Sequence, residues 1–472
     1  MNINWLEEVE KRQDLLLKDL FRLLKIESVR EDDLATEEAP VGPGPLAALK
    51  EFLSMAQEDG FETEQFGPWA GHVKLGQGEE LLGILGHVDV VPAGTGWDTE
   101  PFEPQLINNR IYGRGSSDDK GPTVAAYFAI KLLRELGIEF NKRIHLIVGT
   151  DEESGWQCMD YYFQHAPMPD LGFSPDATFP IINGEKGNVS ALFNFEVGEN
   201  IEGDLKLVQF KSGLRPNMVP QDATAVIEVQ ENDLVGELTK AYDAFFNDYE
   251  NLSGDYTISD LAITLNLSGK AAHGSTPEKG INAGTHLAKF LEKYSFDTQG
   301  SQDFIHLLAR ELYLGFNGQK LNVHHNHEVM GEVSMNVGII SFDASEGGHI
   351  DVNFRFPEGT TPEKMEEQIK KHLIAYTVNV SMSDFKEPHY VPADDSLVKT
   401  LLSVYERQTG EKGEEQTIGG GTYGRLMPRG VAFGALFPDS IDTMHQANEF
   451  IALDDLLKAT AIYAESIYEL TR

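Results

Sequence analysis

The chain has 472 residues, 41% of them hydrophobic and 24% charged, with a single cysteine and a formal net charge of −38. That length calls for more than one domain, and the ordinary apolar content can build a core without help from a metal. So negative a field opposes nucleic acids and anionic membrane surfaces, and the lone Cys158 excludes intrachain disulfides and cysteine-rich zinc sites.

The N-terminal stretch MNINWLEEVEKRQDLLLKDLFRLL has neither an apolar signal core nor a small-residue cleavage site, and no run is long enough to span a bilayer. A cytoplasmic protein without membrane or nucleic-acid partners is therefore expected. Trp5, Val9, Leu15, Leu16, Leu20, Leu23 and Leu24 recur at helical spacing and predict one amphipathic helix. The loop VGPGP leads to a second helix over 46–56, ending near Gly60.

LLGILG is a short apolar run of the buried-strand kind, and it empties into His87. Asp118 follows in GRGSSDDKGP, where Gly121 and Pro122 open a helix that stops at Gly137. RIHLIVGT is a second buried strand, delivering Asp151, Glu152 and Glu153. The tail repeats the pattern with GVAFGALF as a strand, a loop holding His445, and a helix from Leu453. These motifs sit at the carboxyl ends of predicted strands, where open α/β sheets build their sites.

Between them the character changes. ALFNFEVG, LKLVQF, AVIEVQ, LAITLNLSG and HIDVNFRF alternate as antiparallel strands do, with helices in AGTHLAKFLEKY and PEKMEEQIKKHLI. The predicted fold class is α/β, with a mixed, mostly parallel sheet flanked by helices and a large inserted α+β domain. The expected organisation is a catalytic domain in two parts, 1–186 and 388–472, around a lid or substrate-binding insert at 187–387. Hinges are expected near Gly187 and Pro388.

Five residues carry the chemistry: His87, Asp118, Glu153, Asp176 and His445. Two imidazoles and three carboxylates suit two zinc-like ions, one His for each and one carboxylate left to bridge; Mn2+ and Co2+ accept the same donors. A lone EE pair is usually a solvated acidic turn. Glu152 and Glu153 instead end a buried strand between two other donor motifs. IGGGTYGRL contains a formal GxGxxG match, but charged EKGEEQT precedes it where a dinucleotide site needs an apolar strand. We read Gly420, Gly421, Thr422 and Tyr423 as a backbone wall offering N–H donors to the carboxyl end of a substrate, with Arg425 nearby.

GHVDVVP, GRGSSDDKGP and GTDEESG, with the late His445, resemble the M20 family of zinc peptidases and acylases from end to end. FSPDA, GGGTYGRL, HYVP and IYAESIYELT are similar to its PepV-type bacterial dipeptidases. The resemblance implies a zinc-peptidase-like catalytic domain with two Zn2+ per chain. It places His87 and Asp176 on one ion, Glu153 and His445 on the other, and Asp118 between them, with a cis peptide from Asp118 to Asp119. It makes Asp89 the residue that orients the His87 imidazole. Glu152 becomes the general base toward a hydroxide shared by ions roughly 3.5–4 Å apart.

From the insert, the resemblance brings His273 in GKAAHGSTP and Asn217 in RPNMVP as oxyanion donors, and Arg355 in NFRFP as the fork for the substrate carboxylate. The implied activity is hydrolysis of unblocked dipeptides in the manner of an aminopeptidase. A small peptide is the implied partner, and a monomer is expected in preference to a dimer. One alternative is an N-acyl-amino-acid deacylase or carboxypeptidase of the same family. Another is a non-catalytic binding protein on this fold, against which all five donors and Glu152 are intact.

Overall fold

Runs that are apolar throughout form the central strands of one sheet, and runs that alternate form those of another. The computed structural model describes residues 3–249, 251–383 and 385–472. The chain divides into two units, Met1–Gly184 with Tyr390–Arg472, and Glu185–His389.

In the first unit, Leu81–His87 and Leu171–Ser174 are buried along their whole length, and Arg143–Gly149 at all but its first residue. They form the middle of a six-stranded sheet. Its order is Glu62–Phe66, Ala70–Gly76, Arg143–Gly149, Leu81–His87, Leu171–Ser174 and Gly430–Ala432. Only Ala70–Gly76 runs against the other five. The parallel register pairs His87 with Gly149, so both strands release their chains at one edge of the sheet. Helix Lys120–Glu135 packs on the Leu81–His87 strand and against the C-terminal helix Leu453–Thr471.

Two sequence expectations need correction. The first amphipathic segment is two helices, Trp5–Glu10 and Gln13–Leu24, separated at Lys11 and Arg12. Leu15 is exposed, because it lies roughly 100° around the helix from buried Leu16. GVAFGALF is likewise not one strand. Gly430–Ala432 and Ala435–Leu436 belong to different sheets, and Gly434 between them has φ +77°. A Cβ at Gly434 would come within 2.3 Å of the Phe179 ring, so the bend needs glycine on two counts.

The second unit contains an eight-stranded, wholly antiparallel sheet. Its order is Ser253–Ser259, Ala262–Ser268, Asp222–Val229, Leu205–Ser212, Ser334–Asp343, Gly347–Phe356, Gly187–Phe195 and Asn379–Met382. Strict alternation in Asp222–Val229 and Ala262–Ser268 buries Ala225, Ile227, Ile263 and Leu265 on one face, where helix Ala283–Leu291 covers them. Among the described residues, no helix is long and apolar enough to cross a membrane.

Two histidines are buried in the first sheet. His72 Nδ1 lies 2.6 Å from the Tyr162 hydroxyl, and the His72 and His145 rings are 4.2 Å apart. Burial, then the mutual charge and nearby Lys74, pull His72 down to about 3, with Glu64 opposing. Burial, then Lys74 and Arg143, pull His145 down to about 4. Above the ordinary value of about 6.5 both are neutral in either state. Below it the unfolded chain binds protons that the folded chain refuses, so stability is lost as pH falls toward those folded values. His145→Gln should therefore make the fall in melting temperature between about pH 6.5 and 4.5 shallower. An unchanged slope would show that His145 does not carry this linkage.

Candidate metal centre

Parallel strands bring the candidate donors to one edge of the first sheet. His87 ends its strand fully buried, with Nδ1 3.0 Å from the Asp89 main-chain oxygen and 3.4 Å from Asp89 Oδ1. Two acceptors at Nδ1 favour a proton there, so Nε2 is the nitrogen turned toward the site. Nε2 stands 3.1 Å from Asp118 Oδ1 and 3.7 Å from Asp176 Oδ2, yet makes no hydrogen bond. On the other side, His445 Nε2 lies 2.9 Å from Asp118 Oδ2 and 3.1 Å from Glu153 Oε1. Asp118 thus turns one oxygen toward each imidazole.

Two overlapping sets of donor atoms, His87 with Glu152 and Asp176, and His87 with Asp118 and Glu153, each lie within 4.8 Å of one another. With Asp118 shared between them, the ion-pair distances divide the donors differently, pairing His87 with Asp176 and His445 with Glu153. We favour this second division because it gives each imidazole its own Asp118 oxygen. Glu152 then stands beside both groups as an additional carboxylate.

Local packing explains why these residues hold their places. A Cβ at Gly86 would come within 2.0 Å of Thr123 Oγ1, so only glycine lets the His87 strand lie this close to the helix start. Asp119 Oδ2 accepts the Thr123 hydroxyl at 2.8 Å and the His87 amide at 3.1 Å. The Asp118–Asp119 peptide is cis, and helix Lys120–Glu135 begins directly after it. The positive end of that helix favours the two carboxylates.

The part given to Asp89 changes. Its carboxylate accepts the amides of Glu152 at 3.2 Å and Glu153 at 3.1 Å, while the shorter contact to His87 comes from its carbonyl. Asp89 therefore holds the Glu152–Glu153 turn as well as the imidazole. Asp151, fully buried, secures the same turn by accepting Arg30 Nη1 at 2.9 Å and the Gln157 amide at 3.0 Å. Nothing in the sequence pattern singled out Arg30 or Asp151 for this task.

The titration pattern follows from crowding. Burial, then Asp176 and Glu153, hold the Glu152 carboxyl well above the usual range. Burial, then Asp118, raise Glu153 to about 7 and also raise Asp176. Hydrogen bonds to Asp118 and Glu153 raise His445 to about 11. Burial works against the protonation of His87, but Asp118, Asp176 and Asp89 outweigh it. Four largely buried carboxylates thus face buried His87 and exposed His445, an arrangement that favours bound cations. His87 Nε2, which makes no hydrogen bond to Asp118, and a donor set of nitrogen and carboxylate oxygen alone fit divalent metal ions.

The second unit carries Asn217, His273 and Arg355, and the first carries the 420–423 stretch. The Gly274 amide donates to the Asn217 carbonyl at 2.7 Å, Met218 pairs with His273, and burial followed by the Arg355 charge lowers the His273 pKa. Gly420 and Gly421 lie in the loop after Thr417–Ile418, and Thr422 caps the next turn by accepting the Gly424 amide at 3.1 Å. The Tyr423 side chain is buried among Leu85, Ile147, Met159 and Cys158, its hydroxyl 2.9 Å from Cys158 Sγ and its ring edge-on to His87 at 6.3 Å.

An α/β sheet with buried carboxylates and imidazoles at its carboxyl edge is the framework of a metal-dependent hydrolase. Residues 83–469 match the family described as Peptidase family M20/M25/M40. The Beta-Ala-Xaa dipeptidase of Lactobacillus delbrueckii subsp. lactis is 44% identical over 473 residues, covering 100% of this chain and 99% of that protein. The aminoacylhistidine dipeptidase of Vibrio alginolyticus shares the fold with TM-score 0.59 at 14% identity, over 97% of this chain and 96% of that one. Human carnosine dipeptidase 1 does so with TM-score 0.54 at 17% identity, over 99% and 98%. The chain belongs to peptidase family M20/M25/M40, and it is a metallopeptidase.

The buried place of Tyr423 has a measurable consequence. Tyr423→Phe removes one hydrogen bond and should cost about 1 kcal/mol of stability while leaving KM unchanged. A large rise in KM would show instead that its side chain acts on the substrate.

Proposed function

We propose that this metallopeptidase hydrolyses the peptide bond of unblocked dipeptides. The observation that carries the reading is Asp118, which offers one carboxylate oxygen to the His87 side and one to the His445 side while Glu152 stands next to them. His87 and Asp176 would hold one divalent ion and His445 and Glu153 the other, with Asp118 common to both. Bound there, the ions supply Lewis acidity toward the peptide carbonyl and toward water.

Glu152 takes the proton of the attacking water and returns it to the leaving amine. It suits that work because Asp89 fixes its backbone, and because burial and neighbouring carboxylates strengthen its hold on a proton. In the second unit, Asn217 and His273 serve as donors to the oxyanion and Arg355 receives the free carboxylate. The link between the Asn217 and His273 loops supports treating them as one group. The 44% identity to a Beta-Ala-Xaa dipeptidase supports a free amino group on the substrate.

Glu152→Gln should lower kcat by roughly 100- to 10,000-fold without reducing zinc content. A panel of free dipeptides and their N-acetyl forms separates the dipeptidase from the deacylase reading, and preference for the acetylated forms would overturn the former. His273→Ala should cost kcat roughly 100- to 1,000-fold with metal content unchanged. Turnover equal to wild type would remove His273 from the reaction.

A further inference from the structure

Behind the donors lies a buried ion pair that the proposed reaction does not use. Glu449, fully buried, accepts the amides of Ser117 at 2.9 Å, Asp118 at 3.1 Å and Gly115 at 3.1 Å, together with Arg114 Nη1 at 2.5 Å. Its own carbonyl accepts the Gly113 amide at 3.1 Å. Every one of these donors comes from the loop that carries Asp118. Arg114, 1% exposed, extends the connection by donating Nη2 to the carbonyls of Pro92 and Ala93, each at 3.3 Å. Those two carbonyls belong to the segment that follows His87 and Asp89.

Glu449 itself closes the segment that carries His445. The next strand, Phe450–Ala452, pairs with Arg110–Tyr112 just before the Asp118 loop. One pair of side chains therefore joins the segments bearing His87, Asp118 and His445, which are far apart in sequence. None of the three segments is a regular element over these residues, so no ladder of backbone bonds would otherwise hold the Asp118 amides.

We infer that Arg114 and Glu449 are positioning residues that assemble the loops bearing Asp118 and His445 against the segment leaving the His87 strand before any metal ion is bound. The inference rests on the metal reading proposed above. A buried ion pair contributes little to stability once desolvation is counted, so this one is better explained by the geometry that it imposes. A carboxylate is needed because it alone can accept several converging amides and a guanidinium at once.

Glu449→Gln tests this, since it keeps the shape and one acceptor oxygen but removes the charge. Zn2+ alone is titrated into metal-free wild type and variant in competition with a chromogenic chelator, and amide hydrogen exchange is followed in both. The expected result is a folded variant with Zn2+ affinity lowered by about tenfold or more, as when supports behind metal ligands are removed. The amides of Gly115, Ser117 and Asp118 should exchange faster, while those of Leu81–His87 stay unchanged. Equal affinity and equal exchange overturn the inference alone; a wild type that binds no Zn2+ overturns the metal reading and the inference together. If the variant does not fold, metal-free wild type decides. Slow exchange of the three amides supports the pair as the organiser, and fast exchange that slows only on adding Zn2+ overturns it.

Discussion

Negative charge packed into a poorly solvated space is the constraint on which the first unit depends. Asp118, Glu152, Glu153 and Asp176 face one another, and Asp119 and Glu449 lie immediately behind. Carboxylates so placed raise one another's pKa unless donors or cations offset them. Main-chain amides donate to the outer ones. Asp89 receives those of Glu152 and Glu153, Asp119 that of His87, and Glu449 those of the Asp118 loop. Each such bond spends an acidic side chain on backbone geometry and leaves the inner oxygens turned toward the imidazoles.

The sheet explains how so many acids come to one place. Five of six strands run in one direction, so the carboxyl ends of Leu81–His87, Arg143–Gly149 and Leu171–Ser174 share an edge, and each hands a candidate donor to it. The second unit solves a different problem with a different sheet. Its antiparallel strands bury one face under helices, and its loops hold Asn217 and His273 together through main-chain pairing. Rigid strand ends suit a cluster that tolerates little displacement, while loops suit the substrate-meeting role proposed for Asn217 and His273.

The buried strands were readable because LLGILG and RIHLIV are apolar without alternation, and a strand covered on both faces must be. The antiparallel sheet was readable for the opposite reason, in AVIEVQ and LAITLNLSG. The division of the first helix and of GVAFGALF was not, because both breaks depend on neighbours. Gly434 bends where the Phe179 ring leaves no room, and Phe179 is distant in sequence. The burial of the Tyr423 side chain was not readable for the same reason. A Gly-rich stretch suggests an accessible loop, yet Cys158 and Met159 enclose that ring from a separate helix.

By itself the sequence determined the chemistry available: which donor types occur, in which motifs, and at the ends of which strands. That follows because hydrophobic period and donor identity are local properties. Only the tertiary structure decided that Asp118 would present one oxygen to His87 and the other to His445, and that Asp89 would hold a turn as well as a ring. Only it could bring Arg114 and Glu449 together behind the Asp118 and His445 loops. Those outcomes depend on distances between residues far apart in the chain, and on burial, which sets what an unpaired charge costs.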